Sequence, residues 1–267
     1  MNQQEYYQTR KIMFEIVKQT KQREVAFLQK IPTEQYQNFA VRQINAWNIE
    51  LMLKNMERFD FFKIPMNIYY SLARYKSIPM ASFEPKERKE DYKKWALDWK
   101  NQFTGMDFAF DIDNKDLKKA WKDANTIKQF FDARLMPYTI SFSGNKGFHL
   151  EIPQENIAGI KDADEWVLAY QTLVSVIKKK LKVKSLDDSI TDAKRIFKIK
   201  YSWDVKSGLI CLPLTDEQFD NFKVDMVIPD NVIQMPGLGF RGLLMRNPGA
   251  KIHFYDFIKA LKEVKNI

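Results

Sequence analysis

A chain of 267 residues with 45% hydrophobic content fits one large domain or two small ones and can bury a substantial core. Its 43 Lys and Arg outnumber 34 Asp and Glu, a formal charge of +9 that favours a polyanionic partner such as nucleic acid without singling one out. One cysteine, Cys211, and two histidines, His149 and His253, exclude an internal disulfide and any ordinary Cys/His zinc site, and a reducing, cytoplasmic setting is expected. No apolar run of about 18 residues follows the polar start Met1-Asn2-Gln3-Gln4-Glu5, so neither a signal peptide nor membrane insertion is expected.

In chain order, Ile12, Phe14, Ile16 and Val17, then Phe39, Ile44, Trp47, Leu51 and Leu53, recur at roughly helical spacing and predict helices over 4–30 and 34–60. A short strand is expected around Ile68-Tyr69-Tyr70, and the Lys/Glu-rich stretch 84–100 reads as an exposed helix turning Trp95 and Trp99 inward. From Met106 the pattern alternates between β and α: strand 106–113, helix 115–135 capped by Asn114, strands 138–142 and 148–152, and helix 163–182. Asp187 then closes a short strand, Thr191 caps a short helix to Ile199, Leu209 to Leu214 forms a strand, and helices near 216–222 and 254–264 end the chain. With no repeat, low-complexity tract or Gly/Ser linker, 1–267 reads as one domain: a mainly helical part over 1–104, a catalytic α/β part over 105–215 and C-terminal helices over 216–267.

Residues two apart on a strand share a face, so in Met106-Asp107-Phe108-Ala109-Phe110-Asp111-Ile112-Asp113 the carboxylates of Asp107, Asp111 and Asp113 point one way and the apolar row points to the core. Crowded carboxylates repel one another unless cations neutralise them, and hard oxygen donors of this kind suit magnesium or manganese. The loop Ser143-Gly144-Asn145-Lys146-Gly147-Phe148-His149 joins two strands as a hairpin. Its glycines let backbone N–H groups turn toward an anion, while Ser143, Lys146 and His149 add a hydroxyl, an ammonium and an imidazole, a plausible triphosphate cradle. A third charged segment runs from Leu186-Asp187-Asp188 to Lys198; on a helix capped by Thr191, Arg195 and Lys198 share a face, whereas on a strand they diverge.

In order, these motifs resemble the archaeo-eukaryotic primase superfamily, the primase-polymerases, over about Asp107 to Leu214. That family strings together a hydrophobic-Asp-hydrophobic-Asp strand, a Ser-Gly-x-Lys/Arg-Gly-x-His loop, and an Asp upstream of an Arg and of a Lys-Thr-Gly turn. Here they stand as Asp111-Ile112-Asp113, Ser143 to His149, and Asp187 with Arg195 and Lys206-Ser207-Gly208. The resemblance implies an α/β (α+β) primase-like core of mixed or antiparallel sheets flanked by helices, with a largely helical N-terminal region. It implies two divalent ions, Mg²⁺ or Mn²⁺, held by Asp111, Asp113 and Asp187, and no zinc. It implies contacts to the incoming nucleotide from Ser143, Gly144, Lys146, Gly147, His149, Arg195, Lys198, Ser202 and Lys206. Asp188 is an adjacent alternative to Asp187, and Ser202-Trp203-Asp204 departs from the Ser-x-His often found before the Lys-Thr-Gly turn, so nucleotide binding there must differ. The implied activity is primer initiation and extension from nucleoside triphosphates, ribo- or deoxyribo-, on a single-stranded DNA template. Plasmid-encoded or CRISPR-associated primase-polymerases are the relatives indicated, with room for further domains or for replication or CRISPR partner proteins. The exposed lysines of 87–100 and 178–184 are candidate template contacts. The competing readings are a metal-dependent nuclease or phosphodiesterase and a non-catalytic nucleic-acid-binding module.

Overall fold

A computed structural model describes residues 1–78, 85–238 and 244–263. Asn2 opens α1 (Gln3–Gln8) with a capping box, its side chain accepting from Glu5 N–H while the Glu5 carboxylate accepts from Asn2 N–H. Extended backbone at Thr9 separates α1 from α2 (Arg10–Val17). The helical spacing stops at Val17. Gln22 then turns the chain with φ 59° into β1 (Val25–Gln29), which is followed by β2 (Ala40–Ile44) and by α3 (Ile49–Arg58), capped by Asn48. The expected helices over 4–30 and 34–60 are thus corrected to three shorter helices with two strands between them. Next come β3 (Met66–Ser71), β4 (Ala73–Tyr75), α4 (Pro85–Gln102) and β5 (Phe103–Met106), so the N-terminal part carries sheet as well as helix.

The α/β part follows as β6 (Phe108–Asp113), α5 (Leu117–Asp132), β7 (Thr139–Phe142), β8 (Gly147–Ile152), β9 (Ile157–Ala158) and α6 (Ala163–Leu181). Asp116, not Asn114, caps α5; Asn114 instead accepts from Asp116 N–H and donates to Ser185. Where a helix from Thr191 to Ile199 is expected, the chain turns and then forms β10 (Ile196–Lys198). Then come β11 (Leu212–Pro213), α7 (Asp216–Asp220), α8 (Pro229–Ile233), β12 (Ile252–His253) and α9 (Phe254–Glu263). No helix among the described residues is long and apolar enough to cross a membrane.

Two four-stranded antiparallel sheets, ordered β10-β3-β1-β2 and β11-β7-β8-β6, carry the architecture; β4-β5 and the parallel pair β9-β12 are smaller. Phe108, Phe110 and Ile112 of β6, with Phe148, Leu150 and Ile152 of β8, form the apolar face of the second sheet. Phe110 meets Phe131 of α5, and Phe108 stacks on Tyr170 of α6. Truncating an aromatic packed this way costs about 3–5 kcal/mol. The opposite face is polar, with Thr139 and Ser141 of β7 beside Glu151 and His149 of β8 in register. It is turned toward the first sheet: Tyr70 of β3 donates to Glu151, Lys200 pairs with the same carboxylate, and the Phe197 ring of β10 lies 4.2 Å from the His149 ring. The cleft described next opens between these sheets.

Candidate active site

β6 and β8 set the geometry. Their antiparallel register puts Asp111 directly across from His149 and Asp113 across from Gly147. The acidic strand and the glycine hairpin are therefore neighbours. Asp111 Oδ1 lies 3.6 Å from His149 Nε2, and Asp113 Oδ2 lies 3.5 Å from Lys146 Nζ. Asp187 joins through the backbone: its N–H donates to the Asp111 carbonyl at 2.9 Å, next to the Ile112–Leu186 bridge. Asp188 turns away to Lys178 at 2.9 Å, so of the two candidates only Asp187 adjoins the acidic pair.

Burial, then repulsion from Asp113 and Asp187, pushes the Asp111 carboxyl up to about 7 against the pull of Arg195 and Lys146. Asp113 is raised by burial as well, with Lys146 opposing. Asp111 Oδ1 and Asp113 Oδ1 are both buried without a hydrogen-bond partner. Two orphaned carboxylate oxygens side by side form a hard donor set suited to a divalent cation. The third carboxylate is not drawn in: Asp187 Oδ1 accepts from Ser189 N–H and Oδ2 stands 4.0 Å from Arg195. Among the described residues, no group of three or more His, Cys, Asp or Glu is gathered so that it could hold a metal ion.

The hairpin differs in detail from the expected cradle. Ser143 Oγ accepts from the N–H groups of Gly147 at 3.2 Å and Asn145 at 3.4 Å, so these amides brace the turn and are not turned out toward an anion. Gly147 is required by close approach, since a Cβ there would overlap the Ile112 carbonyl and the Asp113 carboxylate. Gly144 adopts φ +85°, and its carbonyl accepts from Ser207 Oγ, which ties the hairpin to the Lys206-Ser207-Gly208 turn.

A cleft of 290 Å³ lies over these groups. Asp111, Asp113, Ser143, Asn145 and His149 form one wall, while Lys30, Asn67, Tyr69 and Arg195 to Lys198 form the other, with Asp204 and Lys206 at the end. Arg195 and Lys198 both reach the cleft although they lie on or beside a strand, because the turn before β10 redirects Arg195. Lys146 stands half-exposed beside Asp113 and outside the lining residues. Ser202 is fully buried and donates to the Ile199 carbonyl, so its hydroxyl does not face the cleft.

Burial, with Lys200 and Lys198 adding to it, holds the His149 imidazole well below its ordinary pKa, so it is a neutral ring near pH 7 with Nδ1 unpartnered. Lys198 pairs with the buried Asp204. Burial alone would raise the Asp204 carboxyl, but Lys198 and the N–H groups of Ser207 and Lys206 carry it below the usual range. Asp204 also accepts from Asn67 Nδ2 at 3.0 Å. The cleft thus has an acidic end and a basic end, the latter formed by Lys30, Arg195 and Lys206.

Asp107 is a correction. It stays on the polar face but apart from Asp111 and Asp113, where it pairs with Arg23 and accepts from Gln154 N–H at 3.0 Å. It lines a separate cavity of 210 Å³ with Arg23, Arg74, Glu151 and Lys200.

No protein-family profile matches the chain. In sequence it is similar to the DNA primase small subunit PriS of Pyrobaculum islandicum, 23% identical over 238 residues and covering 69% of this chain and 71% of that protein. In structure it is similar to the polymerase domain of Mycobacterium tuberculosis ligase D in complex with DNA, with a TM-score of 0.55 and 10% identity, covering 86% of this chain and 85% of that one. The chain shares the fold of that polymerase domain. Both similarities agree with the resemblance to archaeo-eukaryotic primases read from the motifs. Within this fold, Lys30, Asn67, Tyr69 and Asp204 are cleft residues that the motifs did not indicate. Lys30, Asn67 and Tyr69 come from the first sheet, whose docking on the second leaves no local pattern in sequence.

Proposed function

We propose that the chain is a template-directed nucleotidyltransferase, a DNA primase or primase-polymerase that builds strands from nucleoside triphosphates on single-stranded DNA. The observation that carries this reading is the β6–β8 register, which sets two carboxylates, each with one buried unpartnered oxygen, beside a Ser-Gly-Asn-Lys-Gly-Phe-His hairpin in one cleft with a basic far wall. In the reaction a 3′-hydroxyl forms a bond to the α-phosphorus, and the bond to the β-phosphate oxygen breaks to release pyrophosphate.

Asp111 and Asp113, with Asp187 after a side-chain rotation, would hold the divalent ions, which when bound lower the barrier by neutralising charge on the phosphoryl oxygens. The chain's own groups bind and orient. Arg195, Lys206 and Lys30 supply positive charge for the β- and γ-phosphates, and Lys146 stands at the rim beside Asp113. His149, neutral and backed by Phe197, acts as a hydrogen-bond donor to phosphate without adding a cation. The pair with Asp204 fixes the Lys198 ammonium in the cleft wall instead of leaving it to swing freely.

Incubation with labelled nucleoside triphosphates, Mn²⁺ and an unprimed single-stranded template tests the reading. Oligonucleotide products are expected, and they disappear with Asp111→Ala/Asp113→Ala. Shortening of the template without synthesis would replace this reading with a nuclease. Running ribonucleotides and deoxyribonucleotides separately gives the sugar preference.

A further inference from the structure

Away from the cleft, α2 presents an unusual outer face. Lys11, Phe14 and Lys18 recur at steps of three and four and form one exposed stripe, with Arg10 beside it. Lys18 Nζ stands 4.3 Å from the centroid of the Phe14 ring. Phe14 is 43% exposed, and Trp47, in the turn that leads into α3, is 65% exposed; no other Trp among the described residues is an exposed one. Between them runs an open groove of 1240 Å³ whose apolar floor includes Met13, Val17 and Leu53 and whose charged lining is Arg10 and Lys11 on α2 against one acid, the exposed Glu50, on α3. Large exposed aromatics grouped on one face mark an interaction surface.

Charge indicates the occupant. From residue 9 to residue 24 the exposed charged side chains are Arg10, Lys11, Lys18 and Lys21, all basic. The acids of this stretch, Glu15 and Glu24, are buried; Glu24 is held by Arg42, and Glu15 stands 3.6 Å from Lys18, whose half-exposed ammonium still faces solvent. Lys18 and Lys21 continue the basic row onto the mouth of the 210 Å³ cavity. A basic row with aromatic rings beside it matches a polymer that offers flat π-faces and a repeating negative charge. We infer that this groove is a single-stranded nucleic-acid track, in which bases stack on Phe14 and Trp47 and phosphates lie along Lys11, Lys18 and Lys21. Its use in guiding a template rests on the polymerase reading above; the binding itself does not.

The test uses the full chain and labelled oligo-deoxythymidine, read by anisotropy and by Trp47 emission. Phe14→Ala and Trp47→Ala are each expected to weaken binding about tenfold, as loss of one stacking ring does, with thermal unfolding unchanged because both side chains are exposed. Trp47→Phe keeps a ring and should restore most of the affinity. Lys11→Gln with Lys18→Gln should flatten the slope of log K against log salt by about 1.4, two single-strand phosphate contacts. Nucleoside triphosphate binding in the cleft should not change in any of these variants. If the wild-type chain synthesises nothing yet its oligonucleotide affinity still depends on Trp47, the polymerase reading falls and the track stands. Oligonucleotide affinity equal to wild type in Phe14→Ala and Trp47→Ala overturns the track. So does a wild-type dimer that Trp47→Ala dissociates while that affinity is unaffected, since the groove is then a contact between copies of the chain.

Discussion

Metal-free protein should be destabilised by its own acidic pair, and Asp111→Asn should relieve it. The Asp111 carboxyl moves from its ordinary 3.8 to about 7 in the fold, through burial and the charges of Asp113 and Asp187. At about 1.4 kcal/mol for each tenfold change in proton affinity, that is about 4 kcal/mol. The side chain keeps 22% exposure toward the cleft, and screening there brings the expected effect down to about 2 kcal/mol. The sign follows from proton counting. Between pH 4 and 7 the folded state holds a proton that the unfolded chain has released, so stability falls as pH rises and levels off above 7. In chelator, urea unfolding should therefore show the Asn variant about 2 kcal/mol more stable than wild type at pH 8 and equal to it near pH 4. Mn²⁺ at a hundredfold excess over its dissociation constant should stabilise wild type by about 2.7 kcal/mol and the variant far less. A wild-type stability that is flat from pH 5 to 8, or equal stabilisation of both proteins by the cation, would refute the cation-seeking pair.

Lys146→Ala should weaken nucleotide binding about tenfold while leaving template affinity nearly unchanged, because its ammonium stands at the cleft rim beside Asp113; equal losses in the two titrations would count against that role. Gly147→Ala should cost about 3 kcal/mol or more in a denaturant titration, since its methyl group would overlap the Ile112 carbonyl, and a variant as stable as wild type would show that β6 can move away. Asp107→Asn should cost about 3–5 kcal/mol of stability by uncovering the buried Arg23. Activity per folded molecule should survive that change, in contrast to Asp111→Asn, and its loss would return Asp107 to the acidic site.

The acidic row and the hairpin were legible because both lie on strands whose alternation is written locally: Phe108, Phe110 and Ile112 inward, Asp111 and Asp113 outward. The same counting put Asp107 on that face, and it does line a cavity there with Thr139 and Glu151, but beyond the far end of β6 from Asp111 and Asp113, where Arg23 takes it. In the N-terminal part, strands were read as helix for a different reason. Val25, Ala26 and Phe27 are buried one after another, so β1 shows a continuous apolar run with no period of two. Of the opposite wall, the resemblance pointed to Arg195 and Lys198, but the first-sheet residues and the burial of the lysines left no local pattern. Lys198 and Lys200 are both buried, a state made tolerable only by Asp204 and by Glu151, the latter from β8.

The departure at Ser202-Trp203-Asp204 gains a physical account from these partners. A carboxylate cannot replace an imidazole as a phosphate contact, yet Asp204 sits in the cleft wall between Lys198 and the Lys206 turn, where the proposed function would place such a contact. One of its oxygens takes Lys198 and Asn67, and the other accepts the N–H groups of Lys206 and Ser207. Ser207 in turn reaches the Gly144 carbonyl in the hairpin. The carboxylate is thereby saturated by donors on both oxygens and presents little free negative charge to an incoming anion. Its cost to phosphate binding is reduced to that of a neutralised pair, and in exchange it fastens β10, the Lys206 turn and the glycine hairpin to one point. The basic wall is thereby held in place, with Lys30 and Lys206 around the saturated carboxylate and Arg195 4.0 Å from Asp187, the arrangement that the proposed triphosphate site requires.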